Sequence, residues 1–190
     1  MDAFKIAIKL FAARDELDPG AFVPVFHRWI QNQSLADHML IDVADYAHVS
    51  AGPGTVLVCR EANLSSDRAH NRLGLLYFRK LPMDGSFADR AKSVMRSTLH
   101  AAALLEADQS LFGHLSFTTG EWLFRIHDRL LAPNTTETFA MVQPHLESLT
   151  RHLYGQPAQL EFTPSPLTVF EVRVKSTQSP PLTTLLDRLK

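Results

Sequence analysis

The sequence predicts an α+β fold: a two-layer sandwich of a mainly antiparallel sheet with helices on one face. Two observations carry that expectation. Segments such as Phe4 to Phe11 alternate, with Phe4, Ile6, Ile8 and Leu10 on one side and Lys5 and Lys9 on the other, as half-buried strands do. Between such segments lie longer stretches whose apolar residues recur at helical spacing behind capping residues. The order strand, helix, strand pair, helix then comes round approximately twice, which points to a duplicated β-α-β-β-α (ferredoxin-like) unit. With 190 residues, 45% of them hydrophobic, the chain can bury the core of a single compact domain over residues 1–190, which the duplication would divide into pseudo-repeats 1–110 and 111–190.

Taken in order, the first strand is followed by Asp18 and Pro19 as N-cap and first helical position, then by Phe22, Phe26, Trp29 and Ile30 at helical spacing. Pro24 should bend that helix or postpone its start. Met39 to Val43 reads as a short strand. Thr55 to Ala62 and Leu73 to Lys80 read as longer ones, pairing antiparallel across a polar turn region from Asn63 to Arg72. Ser86 and Asp89 have cap spacing before a long helix whose apolar face is Phe87, Ala91, Val94, Ala102 and Leu105, while Lys92, Arg96 and His100 fall on other, solvated faces. Leu115 to Phe117 and Trp122 to Ile126 bracket Thr118-Thr119-Gly120 as a hairpin. Asn134 and Glu137 have capping-box spacing for the next helix, which Pro144 should kink and Gly155 can close. Ala158 to Thr163 and Thr168 to Lys175 form a strand pair around Pro164-Ser165-Pro166, and Pro180 opens a short last helix.

Lysine plus arginine nearly balance aspartate plus glutamate, for a net charge of −1, and no basic stripe is visible. Phosphate neutralisation supplies most nucleic-acid affinity, so nucleic acid is not an expected partner. The opening MDAFKIAIKL lacks the features of a signal peptide, and no apolar run reaches membrane-spanning length, so the expectation is a cytoplasmic protein with no membrane partner. Cys59 is the only cysteine; lying in a buried strand, it reads as an inert core thiol.

The glycine-proline-glycine of HVSAGPGTVLV reads as a turn rather than a phosphate loop, because Pro53 removes an N–H and a strand follows. The most suggestive polar cluster is Asp42, Asp45 and His48, the candidate catalytic residues. Strand alternation sends the two aspartates to opposite faces, so only a loop would make them converge, and no metal or other cofactor is expected. Ligand-binding candidates are Arg60 and Arg79, whose guanidinium forks suit a carboxylate. They are joined by His127, Arg129 and Asn134 near a helix N-terminus that can receive an anion. Arg60, Arg72, Arg79 and Lys80 are expected to gather at one end of the sheet with Glu61 and Asp67 in solvated salt bridges. No GxSxG elbow, HExxH pair, Walker loop, dinucleotide fingerprint or calcium loop is present.

The segments FHRWIQ (Phe26 to Gln31), LIDVADYAHV (Leu40 to Val49), AGPG (Ala51 to Gly54), GLLYFRK (Gly74 to Lys80) and DRLLAPNTTET (Asp128 to Thr138) resemble those of an uncharacterised family of bacterial proteins. The resemblance implies a free-standing single-chain protein and transfers no catalytic residue. The resulting functional expectation is a non-catalytic module that binds a small molecule or a protein partner, as a homodimer. The rival is an enzyme acting on a small anionic substrate.

Overall fold

The computed structural model describes residues 1–14, 17–49 and 52–190. Its elements are β1 (Ile6–Ala12), α1 (Phe22–Asn32), β2 (Leu40–Tyr46), β3 (Gly54–Cys59), β4 (Ala62–Asp67), β5 (Gly74–Arg79) and α2 (Phe87–Ala107), followed by β6 (Phe117–Ile126), α3 (Thr136–Tyr154), β7 (Gln159–Phe162), β8 (Phe170–Lys175) and α4 (Leu182–Arg188). The eight strands form one sheet in the order β2-β3-β4-β5-β1-β6-β8-β7, and every pairing is antiparallel. The helices cover one face. From β6 onward the chain runs strand, helix, two strands, helix; the earlier part has four strands between its two helices.

Strand alternation builds the core directly. Ile6, Ile8 and Leu10 of β1 stand opposite Ile126, Phe124 and Trp122 of β6, and those stand opposite Phe170, Val172 and Val174 of β8. All nine are buried beneath α2, α3 and α4 in a single hydrophobic cluster. Trp122 donates its indole N–H to the Tyr154 hydroxyl at 3.0 Å, and that hydroxyl donates to the Thr119 carbonyl at 2.6 Å, so the polar ends of two large aromatics are satisfied inside the core.

The helix ends follow local chemistry. Ser86 and Asp89 form the capping box of α2, and Gly155 closes α3 in the left-handed conformation. Asp18 caps a short 3-10 turn, Pro19–Ala21, accepting from the Gly20 N–H at 2.7 Å, so α1 itself starts later, at Phe22. Pro144 lies within α3, which continues to Tyr154.

Three sequence expectations are corrected. The polar stretch Asn63 to Asp67 is not a turn: with Ala62 it is β4, pairing with β3 on one side and β5 on the other. The two-residue turn Arg60-Glu61 separates β3 from β4. Leu64 alone of this segment is a large apolar residue, and it enters the core, while Asn63, Ser65 and Asp67 face the other side. Thr118-Thr119-Gly120 is not a hairpin either. It is a register irregularity within the continuous β6, where the chain segment Ser176 to Ser179 passes so close that a Cβ on Gly120 would lie 2.4 Å from Ser179 Oγ. Finally, Asn134 does not cap α3; Thr135 does, accepting from the Thr138 N–H.

The helix-free face carries the charges, and they are not simply solvated. Lys9, at the centre of the sheet, is 0% exposed; its ammonium reaches Asp67 at 2.6 Å and donates to the carbonyls of Ala69 and Arg72 at 2.8 and 2.7 Å. Three donors meet three acceptors. Beside it, Arg72 lies over the Phe11 ring at 3.8 Å and pairs with Glu121, which also accepts from Arg173 at 2.8 Å. A third group is Arg125 with Glu171 and His70. Alternation places these side chains on one side, but their mutual pairing arises only when β4, β5, β1, β6 and β8 are laid next to one another.

Candidate functional site

On the helix side, the segment after α1 creates a gap in the packing. Gln33 takes a left-handed conformation that ends the helix, Leu35 turns into the core, and His38 swings over Tyr77 of β5. The two rings meet edge to face at 5.6 Å, with His38 Nε2 and the Tyr77 hydroxyl 2.7 Å apart. Arg96, Ser97 and His100 of α2 form one wall, since residues four apart share a helical face. Leu186 and Lys190, in and after α4, form another. Together they enclose a cavity of about 450 Å³.

Burial pushes the His38 imidazole below its ordinary range, against the opposing pull of Glu61, and pushes the Tyr77 phenol up despite Arg79 and Ser97 nearby. Both rings are therefore neutral near pH 7, and a single hydrogen bond joins Nε2 to the phenol oxygen. The pair forms a satisfied polar floor. Among the described residues, Arg96 and His100 have no ion-pair partner, whereas Lys190 is held by Asp187 at 2.6 Å. The lining also carries the carboxylates Asp37 and Asp187, so its charge is mixed; Arg96 is the cation left to meet a negative group on a ligand whose apolar body lies against Leu35 and Leu186.

The candidate catalytic residues are placed apart from this cavity. Asp42 and Asp45 pair with Val58 and Thr55, which puts them on opposite faces of β2. Asp42 accepts from the Val43 N–H and Asp45 from the Ala47 N–H, both ordinary local bonds, and His48 is exposed beyond the strand. Among the described residues no three His, Cys, Asp or Glu side chains converge as a metal set. Ser50 and Ala51 of the glycine-proline stretch lie outside the described residues; Gly52 donates to the Val49 carbonyl at 3.0 Å and Gly54 begins β3. Cys59 is buried, which pushes its thiol up to about 12.

The ligand-binding candidates divide among three places. Arg79 lies behind the floor, close to Tyr77, with its Nε donating to the Leu81 carbonyl, and Arg60 is exposed in the turn before β4. Arg72 and Asp67 sit at the opposite end of the sheet from Arg60, Glu61, Arg79 and Lys80, so the expected single gathering is split in two. Arg129 holds the Pro166 carbonyl; Asn134 binds Thr168 on the helix-free side. The sequence pattern placed Arg96 and His100 on solvated faces and did not single out Ser97 or Tyr77 as site residues. The stripe of Lys92, Arg96 and His100, each four residues from the next, was the available signal.

His127 packs on Phe78 at 4.6 Å, and its buried Nε2 has no partner among the described residues. Burial, reinforced by Arg125, holds its imidazole below the ordinary range. The unfolded chain therefore binds a proton near pH 6.5 that the folded chain takes only at lower pH, and between those values stability falls on acidification. His127→Phe should preserve the ring packing, leave stability at pH 7 the same or slightly higher, and make the decline below pH 6.5 shallower in denaturant titrations. His38 should continue to contribute its share of that decline.

The fold and this cavity define an antiparallel α+β sandwich with a small-molecule-sized recess beneath its helix layer. No family model, no curated protein and no solved structure matches the chain. Among the described residues, no helix is long and apolar enough to cross a membrane.

Proposed function

We propose that the protein is a non-catalytic binding module for a small molecule combining an apolar body with an anionic group, held in the cavity under α2. The observation that carries this reading is the convergence of four separate segments on one recess, where Arg96 and His100, without ion-pair partners among the described residues, overlook the neutral His38–Tyr77 floor. A carboxylate or similar group would pair with Arg96, and the rest of the molecule would lie against Leu35 and Leu186.

Calorimetric titration with hexanoate, hexanol and hexylamine tests the reading. Saturable binding of hexanoate alone is the expected result. Arg96→Ala should weaken it by about tenfold or more, because a hydrogen bond to a charged group is worth roughly 1.5–3 kcal/mol. Equal binding of hexanol, or an unchanged affinity in Arg96→Ala, would count against an anion-selective site.

A further inference from the structure

We propose that the helix-free face holds a second binding site, independent of the cavity under α2, for a small neutral polyhydroxylated molecule of the monosaccharide or polyol class. The site is a cleft of about 440 Å³ over β6, β7 and β8, bounded by the segment that carries His70 and by the one that carries Thr168.

The cleft is built from fixed groups. Arg125 and Asn134 are only 7% and 6% exposed, yet both line it. Arg125 Nε donates to Glu171, and its Nη2 lies 3.1 Å from His70 Nε2, which in turn is 3.1 Å from Glu171 Oε1. His70 and Asn71 both take left-handed backbone conformations, with φ of 62° and 53°. Side chains other than glycine resist that region, so the segment depends on outside support. Lys9 supplies it from beneath, through the Ala69 and Arg72 carbonyls.

The pairing of charges selects the ligand class. Arg125 is committed to Glu171, Arg173 to Glu121 and Lys175 to Glu161, so the two arginines and two glutamates that line the cleft are already matched. A charged ligand would therefore meet a lining whose own charges balance, with no excess of either sign to attract it. The other polar side chains that line the cleft, Asn134, Thr163 and Thr168, are neutral. Asn134 Nδ2 donates to Thr168 Oγ1 at 2.9 Å, while its buried Oδ1 has no partner among the described residues. Turning the amide over would exchange the two atoms and still leave one unmet. A hydroxyl both donates and accepts, so one admitted beside Asn134 by a small shift of that side chain satisfies either orientation. A polyol can repeat the match at Thr163 and Thr168 and at the remaining lone pairs of Glu171.

Amide-resolved NMR titrations of the whole chain with D-glucose, D-ribose and myo-inositol, each taken to tens of millimolar, test this site. At least one should give saturable shifts centred on the Asn134 side-chain amide and on the backbone of Arg125 and Glu171. Asn134→Leu should weaken that binding at least tenfold; Thr168→Val, which removes the anchor of Asn134 while keeping its shape, should weaken it too. Arg96→Ala should leave it unchanged, which separates this site from the one proposed under α2. The proposal is overturned if none of the three polyols saturates, if the shifts survive in both cleft variants, or if they vanish in Arg96→Ala. Saturation of the same amides by acetate, phosphate or glycine but by no polyol would likewise overturn it in favour of a charged ligand.

Discussion

Replacing Lys9 with alanine is expected to destabilise the protein by about 3–5 kcal/mol, the range for breaking a buried ion pair from one side. The lysine is fully enclosed, and all three of its protons are used. Its removal leaves the Asp67 carboxylate, itself only 6% exposed, without its cation and two carbonyls without donors. The void left by the side chain adds to the loss. For a chain of this length the midpoint of thermal unfolding should fall on the order of 10 °C. Lys9→Met separates charge from volume: it fills the space but satisfies none of the three acceptors, so it should cost nearly as much. A methionine variant within about 1 kcal/mol of wild type would show that packing, not pairing, is what Lys9 supplies. Because the same ammonium tethers the segment around His70, either substitution should also loosen the cleft above it.

The second large effect is expected at Gly74. A Cβ there would lie 2.3 Å from the Leu10 carbonyl oxygen and 2.7 Å from Lys9 Cε. The first neighbour is backbone in the middle of the sheet and cannot yield without opening the β1–β5 pairing. The second is the stem that carries the buried ammonium to Asp67. Gly74→Ala should therefore cost about 3 kcal/mol, at the upper end for overpacking, despite adding only one carbon. Denaturant titration checks the magnitude. Combining it with Lys9→Ala tests the cause, since the pair should cost clearly less than the sum if the glycine exists partly to let the lysine pass. Strict additivity would leave the Leu10 carbonyl as the sole obstacle.

Much of the fold was legible because it rests on local patterns. The alternation in β1, the Ser86–Asp89 box, the glycine after α3 and the strand pair around Pro164-Ser165-Pro166 each need only neighbouring residues, and each stands where the pattern put it. The misread segments are those whose conformation is set from outside. ANLSSD has little apolar content of its own and becomes a strand because β3 and β5 flank it. Gly120 reads as a turn residue, but it is there for the close passage of Ser176 to Ser179.

The candidate sites were less legible for the same reason. His38, Tyr77 and Arg96 come from separate elements of the chain, and so do His70, Arg125, Asn134 and Glu171. No spacing rule links them. The sequence by itself determined which side the residues of β1 face, where α2 begins and where α3 ends, since periodicity and caps act over a few residues. Tertiary structure alone decided that Lys9 would be buried rather than solvated and which charges would find one another. Strand order brings β4, β5, β1, β6 and β8 side by side, and an ammonium ion can leave water only where that order delivers a carboxylate and carbonyls to receive it.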